Sequence, residues 1–426
     1  MLPKFVIDVF NKRKYYHEIK IIRSVPKYQK KALENLKNKQ TIHCVFLAVS
    51  IDAWKYDNVY KLMSINPKFE PLILICPIVN NGRQNMLDRM EASFNYFRDK
   101  GYNVLKSYDN DKDKYINIRK DIEADILFYT NPYKGLIDER YYIENFIDYL
   151  TVYVGYYFNE LADYKMAYDE YLHNLVWRRY IETNEHKSYA VKYSRNKGVN
   201  AVITGYPGIE RFLYPENEQI VNSWKIKNNK YKKIIWAPHH SIEGTGTVNY
   251  SCFLMYYDNM IQLAEKYKDK VQIAFKPHPL LKNKLIKLWG KNKTELYYKK
   301  WSEMPNTIYV EGDYSDLFLT SDAMIHDSGS FLIEYLYVNK PVMRTLNNEP
   351  LDKLYNPFGL RCLEYYYFAK NADDIEHFIQ CVLREEDPLK DKRTKFLQKT
   401  LIPDNSPSQN IINDIINSIN NQIVLP

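Results

Sequence analysis

Short apolar runs alternate along this chain with longer stretches whose apolar side chains recur at three- and four-residue steps. Residues 41–49, 69–79, 102–105, 125–130 and 151–155 read as strands. Helical patterns lie between several of them. The clearest is 83–100, where Met86, Met90, Phe94 and Phe97 fall on one face. A further strand at 200–204 ends in Gly205-Tyr206-Pro207-Gly208, a strong turn signal. The pattern then restarts, with strands at 233–237, 271–276, 307–310, 323–326 and 341–345. Helices are predicted over 251–266, 280–289, 371–383 and 408–423, with another opening at 331–337. Such alternation predicts parallel sheets covered by helices on both faces. Two runs of it predict two α/β domains with a cleft between them. The expected organisation is an N-terminal arm over 1–40, a first domain over 41–205 and a second over 206–400. The last segment, 401–426, is expected to pack back across the first domain.

Composition adds little until charge is mapped. With 45% hydrophobic and 26% charged residues among 426, the chain has the balance of a water-soluble globular protein. Its longest apolar runs, such as 72–79, are far too short to cross a bilayer. No basic start is followed by a continuous apolar segment, so a cytoplasmic protein without a signal peptide is expected. The five cysteines are scattered, without CxxC pairs, and read as reduced core residues rather than a zinc site. Forty tyrosines against thirteen glycines reflect compositional bias, with some tyrosines suited to a sugar-binding or interfacial surface.

The net charge of +8 is uneven. Residues 1–40 are dense in Lys and Arg, including Lys12-Arg13-Lys14 and Lys30-Lys31, against only Asp8, Glu18 and Glu34. The plain reading is a solvated helical arm, separable from catalysis. The sharper one is peripheral contact with anionic lipid, at the inner face of the cell membrane, or with an acidic polymer. No nucleic-acid-binding motif accompanies the charge.

In open α/β sheets ligands bind beyond the carboxyl ends of strands. Three polar loops of the second half satisfy that rule. The first, His239-His240-Ser241, runs on into Gly244-Thr245-Gly246-Thr247, whose backbone N–H groups suit an anion. The second is Lys276-Pro277-His278-Pro279, where two prolines restrain the backbone around His278. An ordinary buried histidine is the competing reading. The third is His326-Asp327-Ser328-Gly329-Ser330, with Glu334 further on, where a strand stops and a helix opens. Free N–H groups, hydroxyls and a glycine there suit phosphate oxygens. Taken alone it would be a common N-cap. Three such loops in one half-chain favour a site.

These stretches resemble the CDP-glycerol glycerophosphotransferase family, the teichoic-acid polymerase type. The matching residues are 234–238, 275–278, and 325–330 with Glu334 and Lys340-Pro341. Trp54-Lys55-Tyr56-Asp57, residues 69–75 and Gly205-Tyr206-Pro207 extend the resemblance over about 41–346. It implies a GT-B fold: two Rossmann-like domains whose parallel sheets face an interdomain cleft. It also implies a CDP-linked donor held by the second domain and a polyol-phosphate or polysaccharide acceptor entering from the first. Glycerol phosphate or a related polyol phosphate would be transferred to a polymer hydroxyl, with CMP released.

By resemblance His278 and Ser330 would contact the donor phosphates; the catalytic candidates are His278 together with His239 and His240. Lys276, Asp327, Ser328, Gly329, Ser330, Glu334, Gly244 and Thr245 would bind donor nucleotide and phosphates, with Glu334 at the ribose and no metal or other cofactor. The chain departs from the family in two respects: the Thr of the family's Ala-Pro-Thr is His239 here, followed by His240 and Ser241, and a first-domain histidine is missing. The family's first-domain Trp-His-Gly-Thr-Pro corresponds here to residues 153–160, which hold no histidine. The base is therefore left among His239, His240 and Glu160. Other readings compete: a GT-B glycosyltransferase of capsule or lipopolysaccharide synthesis using a CMP- or other nucleotide-sugar, suggested by Lys276-Pro277-His278-Pro279; more remotely, nucleotide-sugar hydrolysis with epimerisation; and a non-catalytic polymer-binding subunit.

Overall fold

The computed structural model describes residues 4–228, 230–243 and 249–426, with side chains from residue 13 onward. The chain forms two units. The first comprises the chain up to Asn159, Tyr164–Gly208 and Pro403–Pro426, and the second Glu160–Asp163 and Ile209–Ile402.

The first unit is built on seven strands: β1 (Ile42–Ala48), β2 (Phe69–Ile75), β3 (Val104–Lys106), β4 (Ile126–Tyr129), β5 (Leu150–Val154), β6 (Arg178–Ile181) and β7 (Ala201–Ile203). They pair in the order β3-β2-β1-β4-β5-β6-β7, all parallel. Register is fixed by pairs such as Ile42 with Phe69 and Cys44 with Ile126. Because helices cover both faces, β4 and β5 are buried along their whole length, which is why they read as continuous apolar runs.

The second unit has six parallel strands: β8 (Lys232–Ala237), β9 (Val271–Phe275), β10 (Thr307–Tyr309), β11 (Ala323–His326), β12 (Val342–Thr345) and β13 (Tyr367–Ala369), in the order β10-β9-β8-β11-β12-β13. Its core is aromatic. Phe275 lies 5.1 Å from both Trp236 and Trp301, centroid to centroid, and these rings pack under the helices Phe253–Lys266 and Lys291–Glu303.

The structure adds to the sequence reading and departs from it in several places. Strand β6 was not predicted, because Arg178-Arg179 looks like a solvated surface. Both guanidiniums are instead buried. Arg178 pairs with Asp414 at 3.0 Å and donates to the carbonyls of Ile423 and Val424, while Arg179 donates to those of Ala167 and Tyr168. Strand β13 was also missed, its three residues offering too short an apolar signal. The helix expected over 331–337 is one α-turn, Phe331–Glu334, continued as 3-10 to Val338 and ended by left-handed Asn339.

The chain passes from the first unit to the second at Gly208–Ile209, close to the turn at 205–208, but it also does so once earlier. Glu160–Asp163 already belongs to the second unit: Leu161 pairs with Tyr355, and the Glu160 carbonyl accepts from Asn356 N at 2.8 Å. Nor is the arm separable. Lys4–Leu36 is one helix, whose Ile22, Val25, Leu33 and Leu36 are buried, the first two in a cluster with Leu74, Leu127 and Tyr153. Among the described residues no helix is long and apolar enough to cross a membrane.

Candidate functional site

In the second unit the strand order reverses between β8 and β11, and a sheet of this kind opens a crevice at such a point. The loops after β8, β9 and β11 are joined there by backbone. His278 N donates to the Pro238 carbonyl at 3.0 Å, and His239 N donates to Asp327 Oδ1 at 2.5 Å. Three imidazoles are thereby gathered. Ring centroids are 4.2 Å apart for His239–His240 and His240–His278, and 5.1 Å for His239–His278.

The protonation of these rings decides what they can bind. Ser241 N donates to His239 Nδ1 at 3.2 Å, and Leu280 N donates to His278 Nδ1 at 3.1 Å. A neutral imidazole that accepts at Nδ1 carries its proton on Nε2. Burial keeps the rings neutral. It holds His239 well below the usual range and His278 down at about 3, and it lowers His240. Neighbouring positive charge, from Lys276 on His278 and from Lys284 on all three, acts in the same direction.

One nitrogen from each of the three rings lies within 4.8 Å of the others, close enough to share a metal ion. A metal, however, needs a lone pair on the free nitrogen, and His239 and His278 offer an N–H there. In these tautomers the Nε2–H groups suit an anion.

The remaining predicted residues have different fates. Asp327 does not face a ligand: its buried carboxylate is occupied by the backbone N–H groups of His239 and Cys252, and burial pushes its pKa up to about 6. It ties the β8 and β11 loops together. Ser328 is buried, and its carbonyl accepts from Arg344 Nη1 at 3.3 Å. Gly329 is required by close approach, since a Cβ there would lie 2.6 Å from Glu160 Oε1 and 3.0 Å from the Tyr250 ring. Ser330 is exposed, ahead of a single helical turn, so the helix-dipole contribution expected there is small. Lys276 is buried, 6.0 Å from the centre of the Tyr314 ring. Glu334 is buried too and accepts from the Tyr314 hydroxyl. Gly244 and Thr245 lie outside the described residues.

Two residues were missed. Arg344, on β12, is a buried cation lying 5.4 Å from the Tyr250 ring and 4.9 Å from that of Tyr355. The signal was an arginine inside an otherwise apolar strand. Tyr250 stacks on Tyr355 at 5.5 Å and reaches Gly329, but a lone tyrosine in a polar loop carries no signal.

The comparisons with known proteins bear on this geometry. Residues 160–355 match the model of the CDP-glycerol:poly(glycerophosphate) glycerophosphotransferase family. The matched segment covers a little under half of the chain. That segment opens and closes within the second unit, where Leu161 and Tyr355 pair, and it contains all three histidines. Among solved structures the wall teichoic acid polymerase TagF is similar, with a TM-score of 0.59 at 14% identity over 97% of this chain and 99% of that one. The UDP-GlcNAc 2-epimerase of Neisseria meningitidis bound to UDP-GlcNAc is similar at 0.53, with 12% identity over 88% and 100%. A putative UDP-N-acetylglucosamine 2-epimerase of Listeria monocytogenes gives 0.52, with 13% identity over 88% and 96%. At these identities the likeness is one of fold, two Rossmann-like units. No curated protein matches the chain in sequence.

Proposed function

We propose that the glycerophosphotransferase segment holds the diphosphate of a CDP-linked polyol, and that the protein transfers the polyol phosphate to a hydroxyl of a teichoic-acid-like or capsular polymer. The observation that carries this reading is the histidine cluster at the strand-order reversal, where Nδ1 of His239 and His278 is held by backbone N–H and Nε2–H is left to donate. Exposed Ser330 and buried Arg344 add a hydroxyl and a positive field beside it.

In phosphoryl transfer the protein's main work is positioning the groups and stabilising charge that develops on the leaving phosphate. Neutral N–H donors fixed in a dry site do this without reorganising. The same tautomers rule out His239 and His278 as acceptors of a proton at Nε2, so in this reading they hold the donor rather than activate the acceptor. A ribose contact would fall to Glu334 and Tyr314 together. The exposed Lys20, Arg23, Lys27, Lys30 and Lys31 of the first helix suit an anionic membrane surface.

The test is nucleotide preference. CDP and CMP should raise the melting temperature more than UDP, GDP or ADP at equal concentration, and CDP-glycerol with a polymer acceptor should release CMP. Equal stabilisation by UDP would remove the cytidine donor and return the reading to the sugar-nucleotide enzymes that share the fold.

A further inference from the structure

The first unit holds cavities of two kinds. The small ones, about 20 Å³ each and one of them lined by His173, have room for about one water molecule. A larger one, of about 270 Å³, lies against the first helix at the amino ends of β6 and β7. That is the edge of the sheet opposite to the one at which open α/β sheets bind their substrates. The transferase reading makes no use of it.

Its walls are apolar. The first helix contributes Ile19, Ile22 and Pro26, which three- and four-residue steps place on one face, and Val176, Val199 and Leu425 supply the rest. The polar side chains of the lining are engaged within the protein. Gln29 donates to the Leu175 carbonyl at 3.1 Å, and Asn174 donates to Asp169 at 2.9 Å and to the Glu170 carbonyl at 3.0 Å. Asn196 donates to Asn200 Oδ1 at 2.9 Å, and Asn200 donates to the carbonyls of His173 and Val176. An ordered water needs roughly two to four polar partners, and this lining offers few. Apolar cavities of about 150 Å³ already accept a ring the size of benzene, so this one suits a larger apolar group.

The mouth of the cavity is positively charged. Arg23 and Lys197 line it, both exposed, and neither pairs with a carboxylate among the described residues. The third lining cation, Arg195, is held by Glu18 and, at 3.1 Å, by Asp169. Val199 and Leu425 are 44% and 40% exposed at the same opening, apolar surface left to solvent. An apolar chamber with two unpaired cations at its mouth is complementary to an anion that carries an apolar tail. The exposed Lys20, Lys27, Lys30 and Lys31 of the same helix attract an anionic bilayer, which is made of such molecules.

We propose that this cavity takes one acyl chain of an anionic phospholipid, with the lipid phosphate at Arg23 and Lys197, and so fastens the first unit to a membrane. The inference deepens the membrane reading of the first helix and is independent of the donor reading. Surface charge alone attracts the protein to the bilayer, whereas a chain entering the cavity adds the burial of its methylenes, each worth about fourfold in affinity.

The experiment uses the full-length protein and two probes. One is sedimentation with vesicles of phosphatidylcholine, alone or mixed with phosphatidylglycerol. The other is saturation-transfer NMR with dihexanoyl-phosphatidylglycerol below its micelle concentration. The wild type should sediment with the mixed vesicles only and should transfer saturation to the acyl protons of the short lipid, and glycerol phosphate, the head alone, should show none. Val199→Trp puts an indole into the mouth without changing charge. Indoles by themselves favour membrane interfaces, so a contact through surface charge alone predicts equal or stronger sedimentation. We expect instead a lost acyl signal and vesicle binding weaker by about tenfold, the equivalent of roughly two methylenes. Lys197→Gln, off the helix, should weaken binding of both probes by about fivefold. Val199→Gln, which makes the mouth polar, serves if the Trp variant does not fold. Wild-type acyl signal and sedimentation in a folded Val199 variant would overturn the cavity and leave the surface contact standing. No sedimentation of the wild type with mixed vesicles would sink both. Saturation transfer to decanoate with none to the short phospholipid would assign the cavity to a free fatty acid and overturn the phospholipid.

Discussion

Replacing His278 by alanine separates a donor-binding loop from a merely structural one. In the free protein the imidazole is neutral and its Nε2 carries the proton, because Nδ1 accepts from Leu280 N. What alanine removes is therefore one neutral N–H bonded to a charged phosphate oxygen. Such a bond contributes about 1.5–3 kcal/mol, or roughly ten- to hundredfold in CDP affinity. If the bond strengthens as charge develops on the leaving phosphate, turnover falls further, by about 10²–10³. The fold should tolerate the change. Leu280, whose N–H loses its acceptor, is 42% exposed, so water can replace the ring nitrogen there. CDP titration by calorimetry, CMP release and a urea unfolding curve measure the three quantities. His377→Ala, on the helix Ala372–Leu383, is the control and should change none of them. A folded His278→Ala protein with normal CDP affinity and turnover would mean that the Lys276–Pro279 loop only closes the sheet edge, and the donor site would have to be sought elsewhere.

Two further outcomes test the scaffold. Arg178→Ala leaves Asp414 without its partner and the carbonyls of Ile423 and Val424 without their donor, and should cost about 3 kcal/mol in urea unfolding. That is the lower end for a buried pair, since Asp414 keeps the Tyr180 hydroxyl at 2.8 Å; a loss below about 1 kcal/mol would show that the pair adds little to this unit. Asp327 has a folded pKa raised from 3.8 to about 6, so its contribution is fully present below about pH 4 and is lost as pH rises through 6. The stability of the wild type relative to Asp327→Asn should therefore grow by about 1 kcal/mol between pH 7 and pH 5, and a gap that stays constant would refute the burial argument.

The sequence by itself determined the two α/β runs, because a strand buried on both faces must be apolar throughout, as β4, β9 and β11 are. It also singled out the loops that hold His239, His240 and His278, since polar residues placed just after such strands fall at the ligand-binding edge. Tertiary structure decided the rest. Arg178-Arg179 forms a strand only because Asp414 and the carbonyls of residues far away in the chain or on neighbouring turns neutralise it, and no local pattern encodes those partners. Asp327 and Ser330 look alike as polar turn residues, yet the carboxylate turns inward to two backbone N–H groups and the hydroxyl stays exposed. His173 is a single histidine in a polar-looking stretch. Only packing places it beside a cavity with both nitrogens unbonded, because burial and hydrogen bonding depend on neighbours that sequence spacing does not specify.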